Sequence, residues 1–357
     1  MEGIHVIHED ERVDDPFQNT KERGEVARLW SREDEAIRCR LCPHGCLIKE
    51  GRHGICGVRE NREGTLIPLT YGKIVSEALD PIEKKPLFHF MPGTVTYSLG
   101  GVGCTFRCRH CQNWEISQAG ITDLSLRRLA PEEGVRRALD LGAKSITWTY
   151  NEPTIWHEYA LDMGMIAQKR GLKTIYVTNG YITEEALNEL APMLSAFRVD
   201  LKAFSDDFYR SVCGGRLQPV LDATVRAHEL GMHIETVTLI IPGQNDDPGE
   251  IDSMIRWVID NLGPETPMHF TRYHPDYQMS EPPATPIGTL EAIYERAQEL
   301  GLHYPYLGNI PGSPYEDTKC PSCGAILIQR RGYRAEITGL TQDRCIRCRQ
   351  KIPIVLP

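Results

Sequence analysis

Residues 100–114, GGVGCTFRCRHCQNW, govern how the rest of this 357-residue chain is read. Cys104, Cys108 and Cys111 form a Cys-x3-Cys-x2-Cys run after the β-rich segment TVTYSLGG, and the glycines before the first cysteine permit tight turns around a bulky group. A closed tetrahedral metal site takes four protein ligands, whereas a redox cluster that also binds a small molecule leaves one iron open. Three thiolates with no fourth cysteine nearby therefore suit three irons of a [4Fe-4S] cluster, the alternative being a structural zinc site. His110, between two of the cysteines, is either a fourth ligand or a ring placed beside the bound small molecule; the second role is preferred here.

Outward from this loop, from Thr94 to Asn309, β-rich runs alternate with helix-like segments. SITWTY, KTIYVTN, AFRVDLK, HIETVTLII and MHFTRYHP continue the strands, separated by PEEGVRRALDLG, a helical stretch from Pro153 to Arg170, LDATVRAHEL, DPGEIDSMIRWVIDN and GTLEAIYERAQEL. About six βα units of this kind predict a parallel sheet with right-handed crossovers, as a doubly wound sheet or a full or partial TIM-like barrel. Ligands of such sheets gather at the strands' C-terminal ends. Glu152, Asn179 with Gly180, Asp200 with Lys202, and His274 all fall there. Helix capping or a turn would explain several of them singly. Capping does not ask for Lys202 and His274 at the ends of near-apolar strands, so the set predicts one ligand-binding mouth.

Two further cysteine sets flank the repeat. CRLCPHGCLIKEGRHGICGVR supplies Cys39, Cys42, Cys46 and Cys56, a spacing that fits zinc, slightly favoured, or a second iron-sulfur cluster, with His44 as an alternative nitrogen ligand. KCPSCGAILIQRRGYRAEITGLTQDRCIRCRQ carries Cys320, Cys323, Cys345 and Cys348 as two Cys-x2-Cys knuckles, the pattern of a zinc ribbon. Around the knuckles lie Arg330, Arg331, Arg334, Arg344, Arg347, Arg349 and Lys351, read as a solvated face, or else as a docking patch for an acidic protein or RNA. Cys213 has no partner in sequence and is read as buried and inert, the alternative being a thiyl-forming catalytic cysteine. The chain thus divides into a Cys-rich module (1–93), the βα repeat (94–310) and a zinc-ribbon-like module (311–357). Each flanking module is short enough to need a metal staple.

Composition narrows the function classes. Twelve cysteines behind an acidic opening, MEGIHVIHEDERVDD, point to metal ligands in a reducing compartment, and a cytoplasmic protein is expected. No apolar run approaches the roughly 18–20 residues of a membrane-spanning helix. A net charge of -9 argues against nucleic acid as the main partner.

CTFRCRHC resembles the cysteine signature of the radical S-adenosylmethionine (SAM) superfamily, with His110 at its aromatic position. EKKPLFHFMPG, CQNWEISQ, YNEPTIW, VTNGY, DLKAF, LIIPGQND and YLGNIPG resemble the radical SAM member of the AmmeMemoRadiSam system, a relative of pyruvate formate-lyase activating enzyme. The resemblance runs from Cys39 onward and implies a partial (β/α)6 barrel, a [4Fe-4S] cluster on Cys104, Cys108 and Cys111, and SAM in the barrel mouth. Glu152, in YNEP, stands where many members have Gly-Gly-Glu for the SAM amino group, although the glycines are absent here. Thr178, Asn179 and Gly180 resemble the activating enzymes' Thr-Asn-Gly, with Val177 where those enzymes often carry Asp. Asp200 and Lys202 match Asp-Leu-Lys, with Lys202 suited to the SAM carboxylate, and His274 matches the Pro-Tyr-His end of the last strand. His110 and Asn113 complete the implied cofactor-binding set. Implied partners are an external flavodoxin or ferredoxin as electron donor, and Memo-like and AmmeMemo-family proteins. The expected activity is cleavage of SAM to a 5′-deoxyadenosyl radical that takes hydrogen from a small molecule or protein. The alternatives are an activase of a glycyl radical enzyme, and a nucleic-acid or protein adaptor whose metals are only structural.

Overall fold

Strands such as Ser145–Trp148 and Ala196–Asp200 are buried almost throughout, on both faces, the mark of a parallel sheet covered on both sides. In the computed structural model, which describes residues 26–357, they belong to one eight-stranded sheet. Its strands in chain order are β1 (Ser76–Pro81), β2 (Val95–Gly100), β3 (Ser145–Trp148), β4 (Lys173–Thr178), β5 (Ala196–Asp200), β6 (His233–Ile240), β7 (Met268–Arg272) and β8 (Pro305–Gly308). Each pairs with its neighbour in sequence, β2 to β8 all parallel and β1 antiparallel to β2. The register is set by apolar layers, Trp148 lying between Leu99 and Tyr176.

Six helices make the crossovers: α1 (Pro131–Asp140), α2 (His157–Lys169), α3 (Glu184–Leu190), α4 (Leu217–Glu229), α5 (Pro248–Leu262) and α6 (Ile287–Glu299). In α5 the buried residues Ile251, Met254, Ile255, Val258 and Leu262 recur at helical spacing, Asp247 accepts a hydrogen bond from the Glu250 amide at 3.0 Å, and Gly263 ends the helix. Losing that cap, as in Asp247→Ala, would cost about 1 kcal/mol. The α/β partial barrel expected from the sequence is therefore present, with six βα units followed by a seventh parallel strand, β8, that the sequence pattern did not supply.

The first cysteine set lies around a three-stranded antiparallel sheet (Trp30–Glu33, Ala36–Cys39, Leu47–Lys49), with Cys39 ending the second strand, Cys42 and Cys46 in the loop to the third, and Cys56 before a hairpin of Arg59–Arg62 and Thr65–Pro68. It docks on α2 through a buried ion pair between Arg59 and Glu158, and Trp156 Nε1 donates to the Thr70 carbonyl at 2.8 Å. The acidic opening segment lies outside the described residues. At the other end the hairpin β9 (Ile326–Arg331) and β10 (Arg334–Ile337) shares a core with the barrel, Leu327, Ile328 and Ile352 packing with Phe88, Tyr304 and Tyr306. Arg330 is no part of a solvated face: its guanidinium is buried 4.0 Å over the Phe88 ring and donates to the Phe88 carbonyl. The reason is the two-residue period of β9, which turns Arg330 inward with Ile328. Arg331, Arg334, Arg344, Arg347, Arg349 and Lys351 are exposed.

Candidate functional site

At the C-terminal ends of the parallel strands lies a cavity of ≈ 520 Å³, and Cys104, Cys108 and Cys111 open onto it. The loop carrying them is held by its neighbours. Asn151 accepts from the Gly101 amide at 3.0 Å and donates to the Gly103 carbonyl at 2.9 Å, so one side chain clamps both ends of the turn. Gly103 takes a φ of +89°, which a side chain would resist. Farther along, the amides of Arg107 and Arg109 donate to the carbonyls of Cys213 and Val212, at 2.8 and 3.0 Å, docking a single π-helical turn (Tyr209–Cys213) against the cysteine run. Cys213 is buried as expected, but its thiol hydrogen-bonds that of Cys108, a contact the sequence did not disclose.

Hydrogen-bond donors stand around the sulfurs. The Phe106 amide lies 3.4 Å and Asn179 Nδ2 3.8 Å from Cys104 Sγ, and Ser117 Oγ lies 3.1 Å from Cys111 Sγ. Burial, and then the Glu152 carboxylate, pushes the Cys104 thiol up, so loading iron must release a proton there. Any three-thiol set that shared one metal ion would be compact. Among the described residues, however, the group of Cys, His, Asp and Glu ligand atoms all within 4.8 Å of one another is Cys320, Cys323, Cys345 and Cys348. Cys104, Cys108 and Cys111 do not form such a group.

The polar wall comes from successive strand ends. Glu152, after β3, is 1% exposed and accepts from the Thr154 amide (2.9 Å), Thr178 Oγ1 (2.7 Å) and the Asn179 amide (2.8 Å). Burial raises its pKa, and those donors hold it back. Asp200, at the end of β5, bridges Arg198 and Lys202, the Lys202 contact being 2.8 Å. Burial opposes its charge, but the two cations hold Asp200 down to about 2. Lys202 is likewise penalised by burial, yet Asp200 and the Cys108 and Cys213 sulfurs keep it firmly protonated. Burial, reinforced by Lys202, pushes His110 down to about 3, so its ring is neutral, and its Nδ1 is buried without a partner. His110, Asn113, Glu152, Asn179, Asp200 and Lys202 all line the cavity. His274 does not; it is exposed on the rim, 3.0 Å from the side chain of Gln112, which does line it.

Several wall residues were not singled out from sequence. Arg198 points inward from within β5, and Lys84 and Lys85 arrive from the segment before β2. Tyr150, at a φ of +73°, donates to Asp80 at 2.6 Å, and Asp80 also receives Lys85 at 2.6 Å. Burial brings Lys85 down to about 8 despite that carboxylate. Both flanking modules reach the site. His44 Nε2 lies 2.7 Å from the Thr105 carbonyl, and Tyr333, at the tip of the β9–β10 hairpin, forms part of the cavity wall. In the ribbon, Sγ separations of 3.5 Å (Cys320–Cys348) and 3.7 Å (Cys323–Cys345) match the edge of about 3.8 Å that Zn–S bonds of ~2.3 Å give a tetrahedron.

Comparison with known proteins identifies the lineage. The family model described as "Radical SAM superfamily" matches residues 99–257. The uncharacterized protein MJ0808 of Methanocaldococcus jannaschii is 46% identical over 326 residues, spanning 91% of this chain and 97% of its own. GTP 3',8-cyclase of Listeria monocytogenes is 25% identical over 262 residues, 64% of this chain and 74% of its own. Among solved structures, a domain of pyruvate-formate lyase-activating enzyme from Bacteroides vulgatus aligns with 47% of this chain and 100% of its own, at 17% identity and a TM-score of 0.41. The matched superfamily implies a [4Fe-4S] cluster and SAM. The residues present fit both, since three thiols face a cavity that also offers a buried carboxylate, a protonated lysine and the unpartnered His110 nitrogen. Matched from the end of β2 into α5, and over 91% of its length 46% identical to the Methanocaldococcus jannaschii protein, the chain belongs to the radical SAM superfamily.

Proposed function

We propose that the chain holds a [4Fe-4S] cluster on Cys104, Cys108 and Cys111, binds SAM beside it, and takes hydrogen from a substrate placed in the same cavity. The observation that carries this is the convergence of the three thiols with Glu152, Asp200 and Lys202 on one cavity of ≈ 520 Å³. When bound, the cluster and SAM supply reductive cleavage of the sulfonium to methionine and a 5′-deoxyadenosyl radical. The chain supplies placement. Glu152, held rigid by three donors, presents a carboxylate to the SAM ammonium. Lys202, oriented by Asp200, presents a cation to the SAM carboxylate. The neutral His110 ring gives the adenine a flat, uncharged neighbour, and Asn113 and Asn179 add amides at the rim and floor.

The motif runs from EKKPLFHFMPG to YLGNIPG support a place in an AmmeMemoRadiSam system, with a small molecule or a protein side chain as substrate, Memo-like and AmmeMemo-family proteins as partners, and a flavodoxin or ferredoxin as donor. Zinc is the metal proposed for the ribbon, on the spacing of its sulfurs. A cytoplasmic setting fits the free thiols, and no described helix is long and apolar enough to cross a membrane. The test is anaerobic: reconstituted protein with dithionite and SAM is assayed for 5′-deoxyadenosine against the Cys104→Ala, Cys108→Ala, Cys111→Ala variant. Formation by the intact chain alone supports the proposal. No product from a fully iron-loaded chain, with and without cell extract supplying substrate, defeats it.

A further inference from the structure

The four N-terminal cysteines were expected, by a narrow preference, to hold zinc. Their arrangement points elsewhere. Cys39, Cys42, Cys46 and Cys56 converge on a single cavity. Among the described residues they do not form a set of ligand atoms within 4.8 Å of one another, so any three of them include a pair farther apart than that. One zinc ion at Zn–S distances of about 2.3 Å would need every pair near 3.8 Å, close to the 3.5 and 3.7 Å of the ribbon pairs Cys320–Cys348 and Cys323–Cys345. Cys320, Cys323, Cys345 and Cys348 thus form a compact set, and Cys39, Cys42, Cys46 and Cys56 do not.

The surroundings are those of a buried anionic cluster. Leu41, Ile48 and Ile155 give the cavity apolar walls. The Ile55 amide donates to Cys46 Sγ at 3.5 Å, and Arg59 Nη1 donates to Cys39 Sγ at 3.7 Å. Arg59 is 1% exposed, and its Nε has no hydrogen-bond partner although the residue lines the cavity. Four thiolates around a [4Fe-4S] core leave net negative charge, which a buried guanidinium offsets; around neutral thiols the same cation has only Glu158 to answer it. The cavity also abuts the other cysteine loop. Thr105 lines it, His44 bonds the Thr105 carbonyl, and a Cβ added to Gly103 would lie 2.5 Å from the Cys56 carbonyl oxygen.

We infer that Cys39, Cys42, Cys46 and Cys56 form a closed site for a second [4Fe-4S] cluster, packed directly against the loop of the first. The inference does not depend on SAM cleavage. The full chain, expressed with iron and reconstituted anaerobically, is analysed for iron, acid-labile sulfide and zinc, with Mössbauer and low-temperature electron paramagnetic resonance spectra. The Cys104→Ala, Cys108→Ala, Cys111→Ala variant is expected to keep four irons and four sulfides per chain and a reduced-cluster signal, and the intact chain to carry twice that content. Adding Cys39→Ala and Cys42→Ala to the variant should abolish the signal. An intact chain with four irons and two zincs, or a triple variant with two zincs and no sulfide, would overturn the inference while leaving the proposed SAM chemistry untouched. Retained iron in the triple variant, in a protein that never cleaves SAM, would uphold the inference and defeat that chemistry.

Discussion

Gly103 is where the two cysteine loops touch, and Gly103→Ala tests how tightly. Two costs add. Its φ of +89° is unfavourable to a Cβ by about 1–2 kcal/mol. The new methyl would also lie 2.5 Å from the Cys56 carbonyl oxygen and 3.0 Å from Val58 Cγ1, an overlap that backbone must yield to, at about 1–3 kcal/mol. The sum is about 2–5 kcal/mol. Gly142 is the matched control, with a φ of +72° and nothing within 4 Å of an added Cβ, so Gly142→Ala bears the backbone cost alone. With an unfolding entropy of about 2.1 cal/mol/K per residue over 357 residues, the loss in Tm is about 3–7 °C for Gly103→Ala and about 1–3 °C for the control. Anaerobic calorimetry on equally loaded proteins reads this, and iron analysis should show the Gly103→Ala chain losing metal during reconstitution. Equal Tm and iron content in the two variants would refute the packed contact between the loops.

Three further substitutions probe the rest of the structure. Arg59→Met strands Glu158, which is 6% exposed, and should cost about 3–5 kcal/mol by urea denaturation; adding Glu158→Gln should recover part of it, and no recovery would remove the pairing from the energetics. Glu235 is fully buried and accepts from the Phe88 and His89 amides at 2.9 and 2.7 Å, with His233 and His269 at 2.9 and 2.7 Å; burial raises its pKa, but these partners prevail and hold it low. Its stabilisation is therefore fully present above the unfolded-state value of about 4.3 and lost as pH falls below it, so Glu235→Gln should be less stable at pH 7 and show a flatter acid limb; an unchanged acid limb would contradict the network. Asp200→Asn removes the charge between Arg198 and Lys202 and, at about 1.5–3 kcal/mol for charge-assisted bonds, should weaken SAM binding to the loaded protein by about 10–100-fold in calorimetric titration; unaltered affinity would take Lys202 out of the SAM site.

The barrel was legible because a parallel strand buried on both faces is written as a nearly unbroken apolar run, and its crossover helices carry periodic faces and caps. β8 escaped because PYLG is four residues that open on a proline and close on a glycine, too short for any period to register. Strand-end residues were found by position, which is why Glu152, Asn179, Asp200 and Lys202 fall together. His274 falls outside because β7 ends at Arg272, and the next residue is turned away: the Tyr273 amide donates to Thr285 Oγ1 at 3.0 Å and its hydroxyl to the Met279 carbonyl at 2.6 Å. Arg198 carried no sign, since a cation inside a strand shows its direction only once the register is known. For Cys213 there was a usable signal in the pair of glycines after it. Gly214 takes a φ of +78°, and a Cβ on Gly215 would stand 2.3 Å from the Phe106 ring, so only that pair lets the π-turn press on the cysteine run.

The ribbon has a structural task that its metal-binding pattern alone does not suggest. A sheet that does not close exposes two edges. One ends in the antiparallel strand β1, and the other is β8, whose Tyr306 hydroxyl lies 2.9 Å from Thr318 Oγ1 at the start of the ribbon and 2.7 Å from His89 Nε2. Arg330 ties the same place from the other side, donating to Thr318 Oγ1 at 2.8 Å and to the Phe88 carbonyl at 2.7 Å. The fully buried Cys345 and nearly buried Cys320 sit in that shared core, so the metal proposed for them fixes the base of the β9–β10 hairpin whose tip supplies Tyr333 to the cavity wall. A four-thiol ribbon placed there acts as a brace between the open seam of the sheet and the mouth of the site.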